Sequence, residues 1–167
     1  MSLLVKMFER IFALFTKDPN APANGAVFWL TLPPELAGDP RLILRQHWPN
    51  WESWKYVGNV PVAQRAPFRL LTVDPCDNLE QVREQLGKKR VPESLWISAF
   101  MRTFPNANVV RCPVSVADPS LEDPDGNQVY PSLFARQLNP DGSISPLLGY
   151  ASQQAPEFGR TLWLVYA

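Results

Sequence analysis

The chain has 167 residues, and its 16 Lys and Arg balance 16 Asp and Glu, so its formal net charge is zero. This length is typical of one domain, and the balanced charge argues against a general nucleic-acid coat, which would be basic. The 18 prolines are more than twice the roughly eight that an average chain would carry. Six Trp and nine Phe nevertheless supply core material that disordered chains lack, so we expect a folded domain with proline-bounded turns.

Cysteine and histidine usage argues against a structural zinc site and excludes a multi-histidine metal centre. Cys76 and Cys112 form no CxxC pair, and His47 is the only histidine, so a structural zinc site lacks ligands. We expect no cofactor, and we expect both thiols to be free in a reducing, cytoplasmic compartment. No run of 18 apolar residues is present, and charges interrupt the apolar amino terminus, so neither a membrane-spanning helix nor a signal peptide is expected.

The first 18 residues are predicted to form an amphipathic helix, and a linker follows them. Apolar residues recur at three- and four-residue spacing over residues 2–17, which predicts a helix, and Asp18-Pro19 ends it. We expect residues 19–25 to form a linker and residues 26–167 a single domain. The favoured interpretation is that the helix packs on its own domain. Docking on a partner is an alternative, and membrane contact by residues 2–17 is a further alternative that the few basic residues do not favour.

The first part of the domain alternates between strand and helix signals. A continuous apolar run over residues 26–32 predicts a buried strand, ended by Pro33-Pro34. Asp39 and Pro40 are typical of a helix start and predict a short helix over 41–47. A weak strand is predicted over 55–62, and a clearer one over 67–73.

Two helices are predicted next. Asp77 with Glu80 is typical of a capping box, so we expect a helix from Asp77 to Gly87. A second helix is expected from Pro92 to about Phe104, because large apolar residues recur there every four residues.

The remaining elements are strands. Alternation over 109–116 places Val110, Cys112, Val114 and Val116 on one strand face, with Pro113 expected at an edge or a bulge. Residues 132–138 and 143–149 flank Asn139-Pro140-Asp141-Gly142, which fits a type I turn in a hairpin. A last strand is predicted over 161–166. The order of elements predicts an α+β fold with a mostly antiparallel sheet and two to four helices.

The most unusual segment reads HWPNWESWKY, from His47 to Tyr56. Trp48, Trp51 and Trp54 recur every three residues and would share roughly one face of a helical turn. Between residues 40 and 70, five basic residues stand against Glu52: Arg41, Arg45, Lys55, Arg65 and Arg69.

Three interpretations of this segment stay open. The tryptophans belong to the core, they form a protein-binding surface with Arg41, Arg45 and Arg69, or they form a stacking platform for single-stranded nucleic acid or an anionic ligand. Core packing is favoured first, and a protein surface second.

A thiol nucleophile is the enzymatic hypothesis. Cys76 precedes a predicted helix amino terminus, which stabilises a thiolate, and His47 is the one available base. Asp74 and Asp77 would oppose thiolate formation, and nothing in the sequence brings His47 to Cys76. Common nucleotide-binding and hydrolase motifs are missing from the sequence, so the sequence favours a non-enzyme.

An acidic loop supplies the only candidate metal ligands, which are Asp118, Glu122, Asp123 and Asp125. Hard cations prefer such oxygen clusters, but the calcium-loop spacing is not met. Asp123-Pro124-Asp125-Gly126 fits a type I turn, so a solvated loop is the favoured interpretation.

Taken together, these features predict a small soluble accessory protein that binds a protein partner, of the adaptor or inhibitor type. Nucleic-acid binding through residues 41–69 and an enzyme using Cys76 with His47 are the two alternatives.

Overall fold

A computed structural model describes residues 22–105, 113–142, 144–154 and 161–167, with the backbone alone for 135–138 and 144–146. The helix predicted over residues 2–17 lies outside the described residues, as do most of the linker, Val110 and Cys112. The end of the predicted linker is described: the Gly25 N–H donates to the Leu70 carbonyl at 3.0 Å. Residues 22–25 therefore form a turn attached to the domain.

In the described part of the chain, eight strands and four α-helices form a single α+β domain. The strands are β1 (Phe28–Thr31), β2 (Lys55–Tyr56), β3 (Arg65–Leu71), β4 (Val114–Ser115), β5 (Leu121–Glu122), β6 (Gln128–Leu138), β7 (Ile144–Ser152) and β8 (Leu162–Tyr166). The helices are α1 (Pro34–Gly38), α2 (Leu42–His47), α3 (Leu79–Leu86) and α4 (Trp96–Thr103), with short 3₁₀ helices at Trp51–Ser53 and Lys88–Arg90. The predicted fold class is confirmed.

The sheet is mostly antiparallel. Its order is β1-β3-β8-β4-β6-β5-β2, and β7 pairs with β6. Only β4 and β8 run parallel to each other among the described strands. Val129 pairs with Leu121 of β5 and also with Ser152 of β7, so β5 and β7 lie on opposite sides of β6. β7 is therefore an outer strand, and β1 ends the sheet at the far side.

Strand alternation divides the core between the two faces of the sheet. On β8, Leu164 belongs to a large cluster that includes residues of α1, α2 and α4. Its neighbours Trp163 and Val165 belong to a smaller cluster with the apolar stripe of α3. Because successive strand residues point to opposite faces, α1, α2 and α4 cover one face, and α3 covers part of the other.

Several helices and strands begin or end at other residues than the sequence predicts. Residues 33–34 end β1 as predicted, but Pro34 also begins α1, since proline is compatible with a first helical turn. The strand predicted over 55–62 is formed only at Lys55–Tyr56. The strand predicted from Pro67 begins at Arg65 and the helix expected from Pro92 begins at Trp96.

The capping residue of α3 differs from the prediction by one position. Asn78 is the N-cap, and its side chain accepts from the Gln81 N–H at 3.0 Å. Gln81 in turn accepts from the Asp77 N–H at 2.9 Å. Gln81 therefore takes the role predicted for Glu80, because the first turn begins one residue later.

The long β6–β7 hairpin closes through the predicted turn. The Gly142 N–H donates to the Asn139 carbonyl at 3.0 Å, and Gly142 has φ 83°, a conformation that favours glycine. A bulge interrupts β6 between Leu133 and Ala135. There the Phe134 ring lies directly on Gly149, where a Cβ atom would collide with it.

Candidate functional site

The three tryptophans of the His47–Tyr56 segment have three different environments. Trp54 is 4% exposed and belongs to the core. Trp48 is half-buried and stacks on Trp54, with ring centroids 4.9 Å apart and planes at 11°. Tyr150 of β7 meets both indoles edge-on, at 5.9 Å and 4.6 Å. These three rings form one aromatic cluster that joins the segment to β7.

Trp51 lies apart from that stack. It begins a 3₁₀ turn, whose end is marked by the Trp54 N–H donating to the Trp51 carbonyl at 3.0 Å. Trp54 then leaves the turn in an extended conformation, with φ −99° and ψ 156°. The predicted common face for the three indoles is therefore not formed.

Two arginines cover the Trp51 ring. The guanidinium carbons of Arg41 and Arg45 lie 4.8 Å and 5.9 Å from its centroid, within the range of a cation–π interaction. One helical turn separates the two arginines, so they project from the same side of α2. Both side chains are exposed, and no ion pair among the described residues includes either of them. We call Arg41, Arg45, Trp48, Trp51 and Tyr150 the aromatic–arginine surface.

Arg69 does not join this surface. It lies in the middle of β3 opposite Val165, on the sheet face that α3 partly covers. Its Nε is buried and has no hydrogen-bond partner in the described structure. Arg65, at the start of β3, covers a different indole, that of Trp29, at 4.5 Å.

The structure does not bring His47 and Cys76 together. His47 ends α2 and contacts Trp48, with ring centroids 6.5 Å apart, on the face of the larger cluster. Cys76 packs against the smaller cluster on the other face. The Cys76 thiol donates to the Asp74 carbonyl at 3.1 Å and accepts from Gln85 at 3.0 Å.

Both groups also have the wrong proton affinity for a thiolate–imidazole pair. Burial raises the pKa of the Cys76 thiol, and the nearby carboxylates of Asp74 and Asp77 raise it further. Burial lowers the pKa of His47. Nucleophilic catalysis needs the reverse at the thiol.

Two carboxylates of the acidic loop have partners within the protein. The Asp123 carboxylate accepts from the backbone N–H groups of Asp125 and Asn127 at 3.0 Å and 2.8 Å. Glu122 pairs with Lys55 at 3.7 Å. Within the described ranges, no group of three His, Cys, Asp or Glu side chains is placed to hold a metal ion.

The fourth acid of that loop, Asp118, belongs to a polar cleft that the sequence did not reveal. The cleft has a volume of about 380 Å³. Asp118 accepts from the N–H of buried Ser94 at 3.0 Å, and Ser94 Oγ donates to the Asp118 carbonyl at 2.8 Å. Ser120 Oγ donates to Ser94 Oγ at 2.5 Å. Gly58 approaches so closely that a Cβ atom there would collide with Ser120.

Other polar groups at this cleft are also engaged within the protein. The Tyr56 hydroxyl donates to the Asn59 carbonyl at 2.6 Å. Arg83 donates to the Ala117 carbonyl at 2.7 Å. Lys88 pairs with Glu80 at 2.5 Å. These groups are therefore bonded within the protein, and the cleft contributes to the stability of the fold.

Comparisons with protein-family models, with curated proteins and with solved structures found no match to this chain. In the described ranges, no helix has both the length and the apolar character needed to cross a bilayer.

Sequence reasoning missed two parts of this arrangement. It had no signal for Tyr150, because a single tyrosine in a hairpin strand resembles any other half-buried strand residue. It also missed the Ser94–Asp118 bonds, because residues on separate elements are joined there only by the fold. The Arg-Trp clustering itself was visible in the sequence.

Proposed function

We propose that this protein is a small binding module of the adaptor or inhibitor type, which recognises an acidic segment of a partner protein through the aromatic–arginine surface. The observation that carries the proposal is the pair Arg41 and Arg45 over Trp51, exposed and without a carboxylate partner in the described part of the chain. A cytoplasmic location remains a prediction from the sequence.

The chemistry of these side chains favours a carboxylate ligand. A guanidinium group that covers an indole keeps its planar set of N–H donors directed outward, and that geometry matches a carboxylate. The ring also holds the arginines in place, so less rotamer entropy is lost on binding. Tryptophan and arginine are the residue types most enriched among energetically dominant interface residues.

The same observations give less support to single-stranded nucleic acid. A stacking platform needs open aromatic faces. Trp54 is buried, Trp48 is covered by Trp54, and the arginines cover Trp51. The thiol-enzyme alternative receives no support, because His47 contacts Trp48 beside the large cluster, whereas Cys76 packs against the small cluster on the other face.

The test is selection from a library of short random peptides displayed on phage, with the purified full chain as bait. We expect enrichment of peptides rich in Asp and Glu. Binding of the best synthetic peptide is then measured by titration calorimetry. The double variant Arg41→Ala/Arg45→Ala should bind at least tenfold more weakly, since hydrogen bonds to charged groups contribute about 1.5–3 kcal/mol each.

Arg65→Ala is the matched control, because Arg65 also covers an indole but lies on β3. It should bind the peptide as the parent does. Selected peptides without an acidic bias, or equal binding by the double variant, would overturn the proposal. Tight binding of an oligothymidine with no peptide selected would favour the nucleic-acid alternative instead.

A further inference from the structure

Within residues 22–105, 113–142, 144–154 and 161–167, no strand pairs with the outer edge of β7. β7 spans nine residues from Ile144 to Ser152 and pairs only with β6 among the described strands. Its sequence, ISPLLGYAS, contains no charged residue. Edge strands are commonly protected by lysine, by proline or by being short. In β7, Pro146 lies near the amino-terminal end of the strand. Residues 147–152 contain neither lysine nor proline.

The hydrogen-bond pattern identifies which backbone groups face this edge. The Pro131 carbonyl accepts from the Val116 N–H at 3.3 Å, on the β4 side of β6. In an antiparallel ladder, two residues that lie opposite each other either bond to each other or both direct their N–H and C=O groups away from each other. Pro131 pairs with Tyr150, and Leu133 with Leu148. The N–H and C=O groups of Leu148 and Tyr150 therefore point to the open edge.

Exposed apolar side chains flank these groups on both faces of the sheet. On the α2 face, Tyr150 is 44% exposed although it contacts Trp48. On the other face, Leu147 and Phe134 are 40% and 45% exposed. α2 packs beside β7, so the positive charges of the aromatic–arginine surface belong to the same side of the molecule.

We infer that the acidic partner segment binds as an extended strand added to the outer edge of β7. This inference rests on the proposed function and specifies its binding mode. The open N–H and C=O groups supply main-chain hydrogen bonds, as in other strand additions. Side chains of an added strand alternate between faces, so those on the α2 face lie on the side that carries Arg41 and Arg45.

Charge complementarity favours such a partner over a second copy of this chain. β7 carries no acidic residue. Two copies paired through β7 would bring two sets of Arg41 and Arg45 to one edge, where β7 itself supplies no carboxylate to meet them. An acidic strand supplies those carboxylates.

The first experiment compares Tyr150→Pro with Tyr150→Ala in the full chain, using the acidic peptide selected as above. Both variants lose the ring, but only proline lacks the N–H, and proline is tolerated at a strand edge where the N–H faces outward. We expect Tyr150→Pro to bind about tenfold more weakly than Tyr150→Ala. Equal binding by two folded variants would overturn the added strand.

The second experiment does not depend on whether a variant folds. Amide hydrogen exchange of the unaltered chain is followed by NMR with and without the peptide. Strand addition should slow exchange at Leu148 and Tyr150, while Gly149, whose N–H faces β6, changes little. Peptide binding that needs Arg41 and Arg45 but leaves both amides unprotected would overturn this inference and leave the proposed function intact. Protection that appears without peptide as protein concentration rises would instead indicate pairing of two copies and would overturn it.

Discussion

The aromatic–arginine surface and the polar cleft both concentrate polar side chains, but they differ in how these are satisfied. In the cleft, Asp118, Ser94 and Ser120 bond one another, and the nearby Lys88 is paired with Glu80. On the surface, the guanidinium groups of Arg41 and Arg45 lie over the ring of Trp51, and neither forms an ion pair with a described residue. A satisfied network stabilises a fold, whereas exposed charges without partners are available to a ligand. Substitutions in the two regions should therefore separate stability from binding.

The largest stability effect is expected where the surface meets the core. Trp54→Ala removes a buried indole that stacks on Trp48 and contacts Tyr150. We expect the free energy of unfolding to fall by about 3–5 kcal/mol, measured by urea denaturation. Trp51→Ala is the control and should lower it by less, because Trp51 is only partly buried against the large cluster and lies outside the stack. Similar losses for both would show that Trp51 is a core residue as well.

In the cleft, Asp118→Ala leaves the N–H of buried Ser94 without its acceptor. This should lower the free energy of unfolding by about 1–3 kcal/mol, while affinity for the selected acidic peptide stays unchanged. Asp118→Asn keeps an oxygen acceptor and should lose less. If Asp118→Ala abolished peptide binding in a folded protein, the conclusion that the cleft serves stability and not binding would be wrong.

A smaller effect concerns His47 and pH. Burial lowers its pKa in the folded protein, so the folded state favours neutral imidazole. The contribution of His47 to the free energy of unfolding is therefore greatest above its unfolded pKa of about 6.5. It is lost as the pH falls toward the lower pKa of the folded state, because the unfolded chain then binds the proton more readily. Urea midpoints at pH 7.5 and pH 5.5 should therefore differ less for His47→Gln than for the parent. An unchanged difference would show that other groups cause the pH dependence.

The smallest stability effect belongs to the surface itself. Arg41→Ala/Arg45→Ala should change the free energy of unfolding by about 0.5 kcal/mol or less, because exposed contacts of this kind contribute little. The same variant carries the largest expected loss of peptide binding. A thermal melt and a peptide titration on one preparation measure both. A strongly destabilised double variant would assign the arginines to the fold.

Local patterns predicted much of the secondary structure. Apolar runs placed β1, β3 and β8, and the Asn139–Gly142 turn placed the β6–β7 hairpin, because the side-chain period and turn chemistry are local properties. The cap of α3 was displaced by one residue, since Asp77 and Asn78 both suit that position. α1 was missed because Pro33-Pro34 both ends a strand and permits a helix to begin.

The candidate site was only partly predictable. The spacing of Arg41 and Arg45 by one helical turn predicts that they share one side of a helix, a few residues before the tryptophans. Tertiary contacts account for three further features: Trp54 enters the core, Arg69 lies on the other face of the sheet, and Tyr150 completes the surface. Local patterns do not predict these features, because burial and contact depend on which strands pair, and pairing joins residues that are distant in the chain.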